Sequence, residues 1–213
     1  MTTLFVYAAP REGESLIGRE VESLALGVGK LAAAITLTRA LAERRPEVVL
    51  AFGIAGAYPS RHLGPGLRAL GLRDTCVVAR EWLVDEGVET AEGFRDLAAM
   101  GLGETGPWIA DVEIADRLAH ALDCPRVIGA TVSSVSGTDR LSQAYATRSG
   151  AQIETMEGAA IAAVCRSFGV RFAELRVISN FTGDRDRSGW DLEGSLATLA
   201  ATMDRVLASG ALA

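Results

Sequence analysis

The sequence predicts an α/β protein, a single-domain three-layer α/β/α arrangement around a mixed, mostly parallel central sheet. Three observations carry that expectation. Short β-branched runs alternate with segments whose apolar residues recur every three or four positions. No linker, repeat or low-complexity tract divides the 213 residues, so 1–213 reads as one domain. The chain is 49% hydrophobic and 23% charged, a balance that fills a core and still leaves a charged surface.

Taken in order, strands are expected at "TLFVYA" (3–8), "SLALGV" (23–28), "EVVLAF" (47–52), "TCVVARE" (75–81), "RVIGATVSSV" (126–135), "AQIET" (151–155) and "FAELRVIS" (172–179). A helix is expected over 31–45, where Leu31, Ala34, Ile35, Thr38 and Leu41 share a face before Arg44-Arg45-Pro46 stops it. Further helical stripes cover 111–122, 139–148, 156–168 and 191–208. Strands alternating with helices place parallel strands between two helical faces. In such sheets ligands gather beyond the carboxyl ends of the strands.

Composition excludes several classes of function. The net charge is −6 with scattered basic residues, which argues against nucleic acid or an anionic membrane as partner. Apolar stretches such as "VVLAFGIAGAY" are broken by glycine and fall short of the roughly 20 residues a membrane span needs. "MTTLFVYAAPREG" has no basic start, so it does not read as a signal peptide. Three cysteines without metal or disulfide spacing fit a reducing cytoplasm. His62 sits in a turn-rich loop, and His120 falls off the stripe formed by Ile114, Leu118, Ala121 and Leu122. Neither belongs to a zinc motif or to a Ser-His-Asp device with a G-x-S-x-G elbow; both read as loop or surface residues, and no metal or cofactor is expected.

Two glycine-rich stretches invite a phosphate reading. "ALGVGKLAA" (25–33) fails as a Walker A loop, since Leu stands at 24 and 31 where Gly and Ser or Thr are needed. Gly27-Gly29-Ala32 meets a loose dinucleotide pattern, but the acid that should follow, Glu47, opens its strand where it should close it. In "AFGIAGAYPSRHLGPG" (51–66) a buried strand runs into Gly53, Ala55 and Gly56, where missing side chains let backbone approach a planar ligand. "QIETMEGAAIAAVC" places Glu157 in the first turn of a helix beside apolar Met156. The helix dipole favours a carboxylate there, and such an anion can accept from both hydroxyls of a ribose.

"GVGKLAAA", "FGIAGAYP", "ETMEGAAIAAVCRSFGV" and "LRVISNFTGD", in that order, resemble the nucleosidase and purine nucleoside phosphorylase superfamily over roughly residues 3 to 205. Within it, "EGVETAEGF", "ETMEGAA" and "SNFTGDRDRSGW" are most similar to the futalosine hydrolase family of menaquinone biosynthesis. The resemblance implies a nucleoside phosphorylase-like fold and cofactor-free hydrolysis of an N-glycosidic bond, releasing hypoxanthine. It implies that Met156 and Glu157 hold the ribose. A glutamate after the first strand would activate water: Glu12 is favoured, Glu14 the alternative. The family's adenine-cleaving members carry Asp where this chain has Asn180. An amide offers one donor and one acceptor face, which suits N7 and the 6-oxygen of hypoxanthine. Which group protonates the leaving purine stays open between Asp184 and solvent. Arg185 or Arg187 would hold the substrate's carboxylate as a fork, or tie the loop through Asp184, Asp186 and Asp191. Phe181, Phe94, Trp82 and Trp108 are candidate stacking surfaces. A homo-oligomer, dimer or higher, is expected. The alternatives are a methylthioadenosine/S-adenosylhomocysteine-type nucleosidase, an aminodeoxyfutalosine nucleosidase, or a purine nucleoside phosphorylase using Arg11 and Ser15 on phosphate.

Overall fold

The computed structural model describes residues 2–212, the side chain of Arg187 apart. The first half holds β1 (Thr3–Tyr7), β2 (Glu22–Ala25), α1 (Lys30–Glu43), β3 (Val48–Ala57) and β4 (Thr75–Leu83). A hairpin of β5 (Gly87–Thr90) and β6 (Gly93–Asp96) follows, then β7 (Trp108–Ile109), α2 (Val112–Leu122) and β8 (Arg126–Thr131). The chain ends with α3 (Asp139–Ser149), β9 (Ile153–Thr155), α4 (Gly158–Phe168), β10 (Arg171–Phe181) and α5 (Leu192–Ser209). All five anticipated helices and seven anticipated strands are present. The hairpin strands and β7, of four, four and two residues, are too short to give a strand signal in the sequence.

The sheet is mixed. Pairings β1–β2, β1–β3, β3–β10, β4–β8 and β8–β9 are parallel, and β4–β10, β3–β9 and β4–β7 antiparallel. Beyond the mixed, mostly parallel sheet expected from sequence, part of it closes on itself. β3 and β10 are long, 10 and 11 residues, and pair along their whole length. The other edge of β3 pairs β1 at residues 48–51, and beyond the end of β1 it pairs β9 at Gly56 and Ala57. Strands β3, β10, β4, β8 and β9 therefore close into a ring, and the side chains at its mouth converge.

Alternation along β3 builds a core on each face. Val48, Leu50 and Phe52 pack with Ile114 and Leu118 of α2 and with Leu199 and Met203 of α5. Val49 and Ala51 pack with Leu37 and Leu41 of α1 and with Ala159 and Ile161 of α4. Asp111, Thr138 and Asp191 cap α2, α3 and α5, accepting from Ile114 N, Leu141 N and Gly194 N. α1 and α4 have no such side-chain cap; they begin at Gly29 and Glu157, and both starts face the mouth of the ring. Among the described residues no helix is long and apolar enough to cross a membrane.

Candidate active site

A cavity of about 480 Å³ opens where β1, β3, β9 and β10 end. Just past β1 the chain enters a 3-10 turn, Pro10–Leu16, that swings Glu12 back under the strand end. The Glu12 Oε2 accepts from Ala8 N (3.1 Å) and Ala9 N (2.8 Å), and its Oε1 from Ile54 N (2.9 Å). Three backbone donors thus orient one carboxylate, which is 6% exposed and lines the cavity. Glu14 points to solvent, so of the two candidates only Glu12 faces the site.

Glu157 lies across the cavity. It occupies the cap position of α4, one residue before the first turn in which the sequence had placed it. Its carboxylate turns away from its own helix and accepts from Gly29 N at 2.7 Å. That explains the glycine-rich loop: Gly27 and Gly29 hold positive φ (86° and 94°), which suits glycine, and the turn aims an amide at Glu157. Glu47, the acid of the dinucleotide pattern, instead accepts from Thr2 N at the far end of β3. Burial raises the Glu157 pKa, opposed by Arg176 and the Gly29 N–H and reinforced by Glu12 and Glu174. Met156 lines the cavity beside it.

Arg176 is the residue sequence reasoning missed. It pairs in register with Gly53 on β3, 2% exposed. Gly53 does not line the cavity; it makes room beneath it, since a methyl group there would collide with Glu12 Oε1 and Arg176 Nη1. Arg176 Nε donates to Glu174 Oε1 at 2.8 Å. Burial works against the Arg176 cation, but Glu174, Glu157 and Glu12 outweigh it and raise its pKa. The available signal was a Glu and an Arg two apart inside an apolar strand, where unpaired charges are not tolerated.

Asn180 reaches the site through a bulge. Ile178 and Asn180 oppose the consecutive residues Ala55 and Gly56, leaving Ser179 as the extra residue. The bulge turns Asn180 towards the cavity, where Ser179 Oγ contacts its Oδ1 (2.9 Å) and its Nδ2 donates to Phe181 O (3.1 Å). One hydrogen and one lone pair of the amide remain for a ligand. Ala55 and Gly56 form the floor, and a methyl group on Gly56 would come within 3.2 Å of Asn180 Nδ2. On the other side of Gly56 stands Glu154, paired with it in the β3–β9 register and 6% exposed. Glu154 Oε1 accepts from Ser136 N (2.9 Å), while Oε2 accepts from Ser136 Oγ and from Tyr58 OH (3.2 Å). Burial pushes its pKa up, against those hydrogen bonds. Asn180, Gly56 and Glu154 thus form a row across three strands, its outer members roughly 10 Å apart by strand spacing.

The outer wall is the last residue of β10 and the segment after it. Phe181, Asp184 and Arg185 line the cavity, together with Trp190. Asp184 accepts from Asp139 N (2.9 Å) at the start of α3. The Arg185 guanidinium lies 5.8 Å from the Trp190 ring centre. The side chain of Arg187 lies outside the described residues. Asp191 ties down the loop by pairing with Arg73, so that anchoring does not use Arg185. Of the candidate stacking aromatics only Phe181 lines the site. Arg148 covers Phe94 and Arg166 covers Trp108, and Trp82 packs against another core cluster. Arg11 lines the rim, its guanidinium held by both oxygens of Glu193. His62 is buried outside the cavity, bonded to Ser142 Oγ (2.9 Å), which in turn meets Thr182 Oγ1 (2.7 Å); it braces the strand end that carries Asn180. Among the described residues no cluster of potential metal ligands occurs.

A model of the phosphorylase superfamily matches residues 14–209. The chain is 37% identical to a futalosine hydrolase of Thermus thermophilus, over 87% of this chain and 80% of that one. It is 36% identical to a futalosine hydrolase of Acidothermus cellulolyticus, over 83% of this chain and 70% of that one. Among solved structures, a mutant futalosine hydrolase of Helicobacter pylori superposes with a TM-score of 0.81 at 18% identity, covering 97% of this chain and 98% of that one.

Proposed function

The chain belongs to the phosphorylase superfamily, and from that premise we propose that it hydrolyses the N-glycosidic bond of futalosine, releasing hypoxanthine and dehypoxanthine futalosine in menaquinone biosynthesis. One observation carries this reading. Glu12, Glu157 and Asn180, distant in sequence, line one cavity with Arg176 buried beneath it.

In this mechanism the C–N bond breaks ahead of water attack, and positive charge develops on the ribose ring. Glu157 accepts from the ribose hydroxyls and stands close to that charge. Glu12, fixed by three backbone donors, takes a proton from the attacking water. Few counter-cations surround these carboxylates, so the cavity is electrostatically suited to a cation that exists only near the transition state. The base seats over Gly56 with Phe181 along its face. Asn180 Nδ2 donates to the 6-oxygen, its Oδ1 accepts from N7 once the departing base is protonated there, and Glu154 accepts the N1–H beyond. Adenine has no hydrogen on N1, and its lone pair would face the Glu154 carboxylate. The row therefore favours a 6-oxopurine over the substrate of a methylthioadenosine or aminodeoxyfutalosine nucleosidase. Asn180 has no proton to give, so the departing purine takes one from Asp184 or from solvent.

At the rim, Arg185 has Trp190 for a neighbour and no ion pair among the described residues, and it receives the carboxylate of futalosine. Arg11 is committed to Glu193 and Glu12 faces the cavity, an arrangement poor for inorganic phosphate and so for a phosphorylase. The enzyme acts as one domain without cofactor or metal, in the cytoplasm, and as a homo-oligomer. Exposed Val28 at the cavity, with Leu31 and Ile35 on α1, is the surface a second copy would cover.

The test is a panel of futalosine, aminated futalosine, methylthioadenosine and inosine in phosphate-free buffer. Release of hypoxanthine from futalosine as the preferred reaction is expected. Strict phosphate dependence, or preference for an adenine nucleoside, would overturn the reading.

A further inference from the structure

Beneath the cavity lies a second pair of carboxylates to which the reaction assigns nothing. Glu81 on β4 and Glu174 on β10 are both 0% exposed. They meet at Gly158: a Cβ there would touch Glu81 Oε1 and lie 2.8 Å from Glu174 Oε2. Gly129 makes the same allowance from the other side, since a methyl group on it would also strike the Glu81 carboxyl. Two ionised carboxylates cannot face each other at close range without water, and one proton between them removes the conflict.

Hydrogen bonding assigns that proton. Glu174 Oε1 accepts from Arg176 Nε, but Glu174 Oε2 is buried and receives no N–H or O–H among the described residues. Among the described residues Glu81 accepts only neutral hydroxyls, Thr131 Oγ1 on Oε2 (2.8 Å) and Thr155 Oγ1 on Oε1 (3.2 Å). Thr131 is in turn held by Ala159 N (2.8 Å), so the start of α4 fixes the arrangement. Arg176 stabilises the anion on Glu174, and among the described residues no cation pairs with Glu81. We propose that Glu81 is a neutral carboxylic acid whose proton is donated to Glu174 Oε2, and that this pair positions Arg176 beneath Glu12 and Glu157. Burial raises the pKa of both acids, and Arg176 opposes the rise more directly on Glu174, which agrees with that placement. Glu81 and Glu174 are positioning residues; neither lines the cavity.

The role in turnover rests on the reading of the cavity as a nucleosidase site, while the protonation state does not. Both are tested with Glu81→Gln, whose amide N–H replaces the acid O–H towards Glu174 and whose carbonyl keeps an acceptor for Thr131. The infrared difference spectrum of wild type minus Glu81→Gln, with ¹³C-labelled glutamate, should show loss of one carboxylic-acid C=O band at neutral pH. Glu81→Gln should keep kcat within about threefold of wild type, whereas Glu81→Leu and Glu174→Gln should lower it about tenfold or more with KM changed less. The absence of an acid band in the difference spectrum overturns the proposal. So does a Glu81→Gln variant that folds and is as inactive as Glu81→Leu. Should Glu81→Leu fail to fold, the spectrum and the Gln variants still decide. A wild type that cleaves no nucleoside yet shows the band would defeat the functional reading and leave the proton where it is proposed.

Discussion

The inner and outer walls of the cavity are built in opposite ways. Glu12, Glu157 and Arg176 are at most 6% exposed, whereas Val28, Phe181 and Trp190 are 59%, 48% and 39% exposed. The inner carboxylates hang from backbone amides of strand ends and helix starts; of the outer side chains Val28 and Trp190 ride on loops and Phe181 is the last residue of its strand. The difference follows from the two tasks. Stabilising a developing charge requires dipoles fixed before the reaction, in a dry place. Choosing among nucleosides requires contacts that can be altered without disturbing the core, and loops provide them. Damage to the inner wall should therefore appear in kcat, and damage to the outer wall in substrate preference.

The strongest test of that division is Glu12→Gln. The amide keeps the shape and loses the base, so kcat should fall by about 10²–10⁴-fold with the fold intact, measured by hypoxanthine release and thermal unfolding. A loss confined to KM would move Glu12 from the inner wall to the binding role. Glu157 adds a pH signature. Its pKa is raised, mainly by burial, so it protonates above the ordinary carboxylate range and the acid limb of kcat/KM should begin there. In Glu157→Gln the residual activity should lose that limb.

The row of Asn180, Gly56 and Glu154 lies between the two walls and sharpens the comparison. Glu154→Gln replaces an acceptor with an amide that can donate to N1 of adenine. The ratio of kcat/KM for hypoxanthine over adenine nucleosides should fall by about 10–100-fold, because the preferred base then loses its partner and the rejected one gains a donor. An unchanged ratio in a folded variant would mean that Glu154 serves only Ser136 and Tyr58.

Legibility in the sequence follows the same division. Helix stripes and β-branched runs are local signals, and all five helices emerged with ends within a few residues of expectation. Glu12 and Glu157 were legible because each follows a strand in a motif; Asn180 stood out as an amide after a buried run. Arg176, Glu174, Glu81 and Glu154 were not read as site residues, because each lies inside a strand and takes its meaning from neighbours set by pairing, such as Arg176 opposite Gly53 or Glu154 opposite Gly56. Closure of the sheet was invisible for the same reason: it depends on β3 carrying β1 and β9 on one edge at different heights. Trp82 and Trp108 show the converse, aromatics whose chemistry suits a purine and whose packing puts them elsewhere.

A smaller effect is expected at the rim. Arg185→Ala should raise KM for futalosine by about two- to fivefold, the worth of one solvent-exposed ion pair, and leave a nucleoside without a carboxylate unaffected. Equal changes for both would mean that Arg185 supports the loop through Trp190 and does not read the substrate.

The smallest effect on catalysis should come from the opposite end of β10. There Asp111 caps α2 through Ile114 N (3.0 Å) and accepts from Arg171 Nε (2.7 Å) and Nη2 (2.9 Å), joining α2 to the start of the strand that carries Asn180 near its other end. Asp111→Ala should cost about 1–2 kcal/mol of stability, the usual price of a lost helix cap, with kcat/KM unchanged at a temperature where the protein remains folded. The Asp111 pKa is lowered, chiefly by the Arg171 hydrogen bonds. Its contribution is therefore present above the ordinary carboxylate range and is lost as pH falls through the lowered value. Melting temperatures recorded against pH should show wild type losing part of its advantage over Asp111→Ala on the acid side. If kcat fell along with stability at neutral pH, the two ends of β10 would be coupled, and the separation between a rigid chemical wall and the scaffold behind it would not hold.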